Sequence, residues 1–245
     1  MITDIWTVIW KEWRELLFQR GSQRATALSW LLSVLIFGVI LPVQIGRSWV
    51  ETSLTIVFWV WLPTLPVLAL IADTFAGERE RHTLETLLST PLSEAAILFG
   101  KVSSVVGYGW LFTLLDLLTS LVVVNVVHSN GELLFYPASI VLGGMTLGFL
   151  TATLAASIGV IVSLRSPTVR QAAQQLAFVS LGLTWLPILC FSLLPIELQM
   201  SFLKSAKNAN LAQLIFAITI FLAILDAGLL SLAIAQFKRS RLILD

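Results

Sequence analysis

An all-α fold that crosses a membrane several times is what this sequence predicts, and three observations predict it. Charged residues are 12% of the 245-residue chain and apolar ones 57%, against about 25% charged in soluble globular domains. The charges are also clumped. Positions 28–46 and 52–72 hold no Asp, Glu, Lys or Arg, and each run can cross roughly 30 Å of hydrocarbon as a helix. Finally, the apolar segments are continuous rather than alternating, which fits helices and excludes a barrel of strands. Little chain is left for a soluble domain. The single cysteine, Cys190, cannot form an intrachain disulfide, so redox compartment is not readable from it.

The chain begins with an amphipathic stretch. Ile2, Ile5, Trp6, Ile9, Trp10, Trp13, Leu16 and Leu17 recur at spacings of three and four, which places them on one helical face. Three tryptophans so close together suit the headgroup level, where a ring meets lipid on one side and water on the other. Residues 3–18 are therefore expected to form a helix in the membrane interface. Positions 1–24 carry seven charges and no small-x-small cleavage site, so they do not read as a secretory signal. The organisation expected is a leading interfacial segment over 1–24 and a membrane domain over 25–245.

Six spans follow, at 25–46, 52–72, 102–127, 138–163, 176–195 and 211–237. With the amino terminus inside, twelve Lys and Arg fall on the inner side: Lys11, Arg14, Arg20, Arg24, Arg79, Arg81, Lys101, Arg165, Arg170, Lys238, Arg239 and Arg241. Arg47, Lys204 and Lys207 fall outside. That bias over short loops orients both termini towards the cytoplasm. Segments 47–51 and 128–137 are outer turns, the second marked by Ser129, Asn130 and Gly131. The fifth span is interrupted by Pro187 and Pro195.

The inner segment 73–101 is the most informative. It holds eight of the 29 Asp, Glu, Lys and Arg residues. Glu78, Arg79, Glu80 and Arg81 open a short helix with a strip of Leu84, Leu87 and Leu88, which Thr90 and Pro91 stop. Ser93 fits the N-cap of a second short helix through Ala95, Ile97 and Leu98. Two ordered helices and a cluster of both charge signs fit a protein-docking role or a well-solvated turn.

Within the membrane, Asp116 and Asp226 sit mid-span in the third and sixth segments. A carboxylate at that depth must face protein, a partner or water. Each reads as an interhelical hydrogen bond in a protonated state or as a position lining a translocation route, with no Lys or Arg inside any span to pair with it. Gly144, Gly148, Ala152 and Ala156 fall four apart on the fourth span and form a small-residue stripe that lets another backbone come close. Trp30, Trp49 and Trp185 read as interface anchors, and Trp59, Trp61 and Trp110 as deeper packing residues or, alternatively, pore-facing ones. No phosphate-binding loop is present: Gly100 and Lys101 are followed by Val102, and position 95 is Ala95. His82 and His128 fall on opposite sides of the membrane, so neither a zinc site nor a serine–histidine–aspartate triad is expected. ATP, if used, must be bound by another polypeptide.

The string FAGERERHTLETLLSTPLS from Phe75 to Ser93, followed by Gly100 and Lys101, resembles the hallmark inner loop of ABC-2 type membrane permeases, the membrane subunits of ATP-binding-cassette exporters. Trp10-Lys11-Glu12 and the closing stretch from Phe237 to Arg241 are also similar to that family, and the glutamate-rich loop fits it better than the haem-exporter permeases. The resemblance covers essentially the whole chain. It implies a membrane-lying helix at residues 3–18 and a coupling helix that seats in a groove of the ATPase, with Glu78, Arg79, Glu80, Arg81, Thr83 and Glu85 as the matching residues. It also implies a short re-entrant pair of helices at 195–208. The chain itself would bind no cofactor and do no chemistry; ATP and Mg2+ would sit on the partner. The partners implied are two ATPase subunits, a second permease copy or a similar permease, and membrane lipids, with no nucleic acid, in the cell membrane. Two other functions fit the bare sequence: a non-transport membrane scaffold, and a proton-coupled secondary transporter using Asp116 or Asp226. The charge clustered on one inner loop favours the permease over both.

Overall fold

The structure is a computed structural model that describes residues 2–18, 28, 30–53, 55–83, 89–201 and 210–237. Among the described residues the secondary structure is helical, without strands. In chain order the helices are α1 (Ile2–Phe18), α2 (Trp30–Ile45), the single turn α3 (Ser48–Glu51), α4 (Thr55–Glu80), α5 (Glu94–His128), α6 (Ala138–Ser163), α7 (Val169–Ser192) and α8 (Leu211–Gln236). By length and composition α4 to α8 can each cross a membrane, and α2 is a shorter apolar helix. Residue 25, the expected start of the first span, lies outside the described residues, as do 202–208 of the expected re-entrant pair. A helical segment is present over 196–201.

The helix α4 is the spine of the bundle. It packs against α5 and α6, while α6 also carries α8, and α1 and α2 pack on α5. Pro63 and Pro66 deprive the carbonyls of Trp59 and Leu62 of their helical donors. Membrane helices tolerate this when neighbouring hydroxyls and close packing take over. Here the hydroxyls serve the two carbonyls between those positions: Thr64 donates to the Trp61 carbonyl at 2.5 Å, and Thr151 of α6 donates to the Val60 carbonyl at 2.5 Å. The small-residue stripe of α6 faces this same region within the chain. A Cβ on Gly148 would lie 2.9 Å from the Trp59 carbonyl oxygen, and one on Gly144 would lie 2.5 Å from the Trp59 ring. Ala152 and Ala156 are fully buried. Since lipid is as apolar as leucine, packing of this kind, rather than water exclusion, holds such helices together.

Two apolar clusters result. The inner one joins Ile71, Phe75, Ile97, Leu98, Val160 and Phe237; the outer one joins Trp49, Trp59, Leu117, Tyr136, Ile140 and Leu147. Trp49, expected as a surface anchor, is thus buried and packs beside Phe58 at 5.2 Å between ring centroids. The outer turns are tied together by Arg47, which donates to the carbonyls of His128 (2.9 Å) and Ser129 (2.6 Å) at the end of α5.

Several sequence expectations need correction. Glu78 to Arg81 do not open a separate short helix, because α4 continues from the span through a wider π turn at Asp73–Gly77 into Glu80. Its apolar face, including Ala72, Phe75 and Ala76, stays buried past the expected membrane edge and keeps the helix packed. The second short helix is likewise the start of α5. Ser93 is its N-cap, accepting from the Ala96 N–H at 3.2 Å, but the helix then runs unbroken for 35 residues. The fifth span, expected over 176–195, is α7, which begins at Val169 and passes Pro187 before ending at Ser192. On α1, the face against the protein is Val8 and Glu12, whereas Ile2, Trp6 and Trp10 point away from it and are exposed. The residues Leu84, Glu85, Leu87 and Leu88 lie outside the described residues.

Replacing Gly148 by leucine drives a side chain against the Trp59 carbonyl. The expected cost is roughly 1–3 kcal/mol, the range for overpacking, read as a lower melting temperature of the purified protein in detergent. Gly228→Ala is the matched control: its Cβ would meet nothing within 4 Å, so melting should stay level or rise slightly.

Candidate functional site

Three helices bring charge to one buried point at the inner end of the bundle. Lys101 lies two turns into α5 and is 1% exposed, Glu12 of α1 is 7% exposed and Glu78 in the last turn of α4 is 9% exposed. The Lys101 ammonium is 2.9 Å from Glu12 Oε1 and 2.8 Å from Glu78 Oε1. It also donates to the Thr74 carbonyl at 3.1 Å, inside the π turn, where the hydrogen-bond ladder is widened. The Phe75 ring lies 5.5 Å below it. The approach of α1 is permitted by Gly100, where a Cβ would be 2.6 Å from Val8 Cβ. Lys101 was expected on the inner loop; its helix is packed on α1 instead.

Two carboxylates against one buried ammonium leave an excess of negative charge, which Lys11 offsets. Its Nζ is 3.4 Å from both Glu12 Oε1 and Glu78 Oε1, and 3.3 Å from Glu15. Burial opposes the Lys11 charge, but the carboxylates of Glu12, Glu78 and Glu15 together hold its pKa above the ordinary 10.5. The stabilisation is therefore present at neutral pH and lost as pH rises through that raised value. It is modest, since the side chain is 43% exposed. Glu78 Oε2 is buried and makes no hydrogen bond among the described residues.

Directly beyond the cluster the chain becomes accessible. Arg79 is half-buried, and Glu80, Arg81, His82 and Thr83 are exposed. The helix end is a Schellman turn: the His82 N–H bonds the Arg79 carbonyl at 3.1 Å, and the Thr83 N–H bonds the Glu78 carbonyl at 2.9 Å. His82 takes the left-handed position, with φ at 56°. A glycine there would have advertised the stop; a histidine conceals it. Arg81 reaches back to Asp73 at 2.5 Å. Glu80 Oε2 accepts from the Val169 N–H at 3.0 Å, capping α7, whose N-cap Thr168 accepts from Gln171 N–H at 3.3 Å. Thus one turn of α4 holds α1 and α5 through Glu78, and α7 through Glu80.

The expected residues therefore divide. Glu78 is not a solvated loop charge but a buried ion partner, whereas Glu80, Arg81 and Thr83 form the accessible turn with Arg79 at its edge. Glu12, Lys11 and Lys101 were not read as one site from the sequence. The available signal was Lys101 itself, since a lysine on the apolar face of Ile97, Leu98 and Val105 demands a buried carboxylate. Deeper in the bundle, Asp116 is buried and accepts from the Ser33 hydroxyl of α2 at 2.9 Å. Asp226 of α8 is also buried, and neither of its oxygens has a hydrogen-bond partner among the described residues. The 80–83 turn is thus joined by ion pairs and a cap to α1, α4, α5 and α7.

A family model described as "ABC-2 family transporter protein" matches residues 6–237. No curated protein matches the chain.

Lys101→Met removes the cation and strands two buried carboxylates. Breaking a buried ion pair from one side typically costs about 3–5 kcal/mol, so melting should fall sharply and α1 should become sensitive to protease. Adding Glu12→Gln and Glu78→Gln to Lys101→Met removes the charges together and should recover most of the loss.

Proposed function

Because the chain belongs to the ABC-2 family of transporter proteins, the multi-pass membrane components of ABC transporters, we propose that it is one permease half of an exporter driven by a separate ATPase. The ATPase docks on the exposed turn at Glu80 to Thr83. Two ATPase subunits carry the ATP and Mg2+, and a second copy or a similar permease completes the membrane part. The inner ends and both termini face the cytoplasm of the cell membrane, as the twelve-to-three distribution of Lys and Arg supports.

One observation carries this reading: the accessible turn is continuous with a buried charge cluster that binds α1, α4 and α5, and with the cap of α7. A passive connector has no use for such stiffness. A docking surface on a motor needs it, because a push applied to a flexible loop would be absorbed locally. Charges at the rim of such an interface contribute less than charges fully desolvated in it, so Glu80 and Arg81 act chiefly in alignment. Export, rather than uptake, follows the family resemblance of the inner loop.

Single cysteines at His82 and at Thr83, in a Cys190→Ala background, should cross-link to the co-purified ATPase subunit. Cysteines at Ser89 and Asn130 should be labelled from opposite faces of the membrane, Ser89 from the cytoplasmic one. Cross-linking that reaches no ATPase, or labelling of both sites from one face, would overturn the docking turn or the orientation respectively.

A further inference from the structure

An elongated cavity of about 540 Å3 lies between α4, α6, α7 and α8, well apart from the charge cluster. This volume is in the range of small-molecule pockets, roughly 300–1,000 Å3. Its wall on α4 runs from position 56 to position 68, about 18 Å at 1.5 Å per residue. The cavity thus follows the axis of a helix long enough to cross the membrane, parallel to the acyl chains of a bilayer. No Asp, Glu, Lys, Arg or His lines it. Its threonines are already engaged: Thr64 donates to the Trp61 carbonyl at 2.5 Å, Thr151 to the Val60 carbonyl at 2.5 Å, and Thr184 to the Ser180 carbonyl at 2.8 Å. The Trp61 indole N–H is also engaged, donating to Thr184 at 3.3 Å across the gap between α4 and α7. A ligand that relied on charge or multiple hydrogen bonds would lose them on entry, and each unpaired polar group would oppose binding. A long uncharged hydrocarbon chain loses nothing.

The two walls joined by Trp61 and Thr184 are also those that the inner end controls. The helix α4 ends in Glu78 and Glu80, and Glu80 caps α7 at Val169. The 80–83 turn is thereby joined directly to both helices that form these walls. A lipid that merely fills a surface groove requires no such linkage. We propose that this cavity receives the hydrocarbon tail of an amphiphilic cargo drawn from the bilayer, its polar head remaining outside the cavity. The assignment of the tail as cargo rests on the permease reading; the site for a hydrocarbon chain does not.

The test has two arms. In the first, the full chain alone is placed in nanodiscs with phosphatidylcholine bearing a photoactivatable diazirine in one acyl chain, and labelled positions are mapped by mass spectrometry. Labelling should concentrate on the faces of Val57 and Thr151 over the exposed Val122–Val126 face of α5, and lysophosphatidylcholine should compete. Val57 is 64% exposed and Ile218 is 39% exposed, so Val57→Trp and Ile218→Trp fill the cavity from its margin without burdening the core. Each displaces about two methylene contacts and should reduce cavity labelling about tenfold, with melting unchanged. In the second arm, lysophosphatidylcholine should stimulate ATP hydrolysis by the reconstituted complex with its ATPase, and the two tryptophan variants should lose the stimulation but keep the basal rate. Uniform labelling of all lipid-facing surfaces would overturn the site, as would a disulfide between two copies through Val57→Cys, which would place a second subunit there. Labelling of the cavity with an ATPase indifferent to the lipid would overturn the cargo assignment. A chain that assembles with no ATPase would remove the permease reading and the cargo assignment with it.

Discussion

A buried ammonium must be matched by buried carboxylates, and that requirement at Lys101 organises the inner half of this protein. Desolvating a lysine costs several kcal/mol unless its partners are close and well placed. Here the partners come from two other helices, at 2.9 and 2.8 Å. The charge pairing therefore selects which edge of α1 meets the bundle. With Glu12 on Lys101, Val8 packs inward and Trp6 and Trp10 lie outward, where a headgroup layer would receive them. The same pairing holds the last turn of α4 in register, so the exposed turn from Glu80 to Thr83 stands at a defined place.

The second constraint is backbone satisfaction along α4. Prolines at 63 and 66 would leave carbonyls without partners in hydrocarbon, where each such group is expensive. Around that break, Thr64 and Thr151 bond the neighbouring Trp61 and Val60 carbonyls, and a glycine face on α6 lets the Trp59 carbonyl region approach closely. Spine and stripe are thus complementary. This also gives the cavity its character, because Thr64 and Thr151, which line it, spend their hydroxyl protons on α4 carbonyls.

The helices divide by role. The group of α1, α4, α5 and α6 carries most of the buried contact, whereas the apolar windows of α7 and α8 are only 7% and 6% buried. Their leucines and phenylalanines need no cover from water within a bilayer, and they leave a broad apolar face. The helix α4 thus runs from the accessible turn past the charge cluster to the cavity wall.

By itself the sequence determined the class, the membrane, most spans and the family. Charge-free runs of about 20 residues admit no other structure in lipid, and the span 138–163 matches α6 end to end. The small stripe at Gly144 to Ala156 was legible because a four-residue period is local. Ser93 as an N-cap was legible for the same reason, since the hydroxyl serves an amide three residues on. Tertiary structure alone decided where helices outlast the membrane, because Phe75, Ile97 and Leu98 remain buried only through each other. It alone decided that Glu78 is a buried partner while Glu80 is accessible, two residues apart in one helix. A lysine at 101 announces that it needs a carboxylate, but not that the carboxylates are 89 and 23 positions earlier in the chain. Pairing energy depends on distance in space, and the linear order of residues carries that distance only within a helical turn or two.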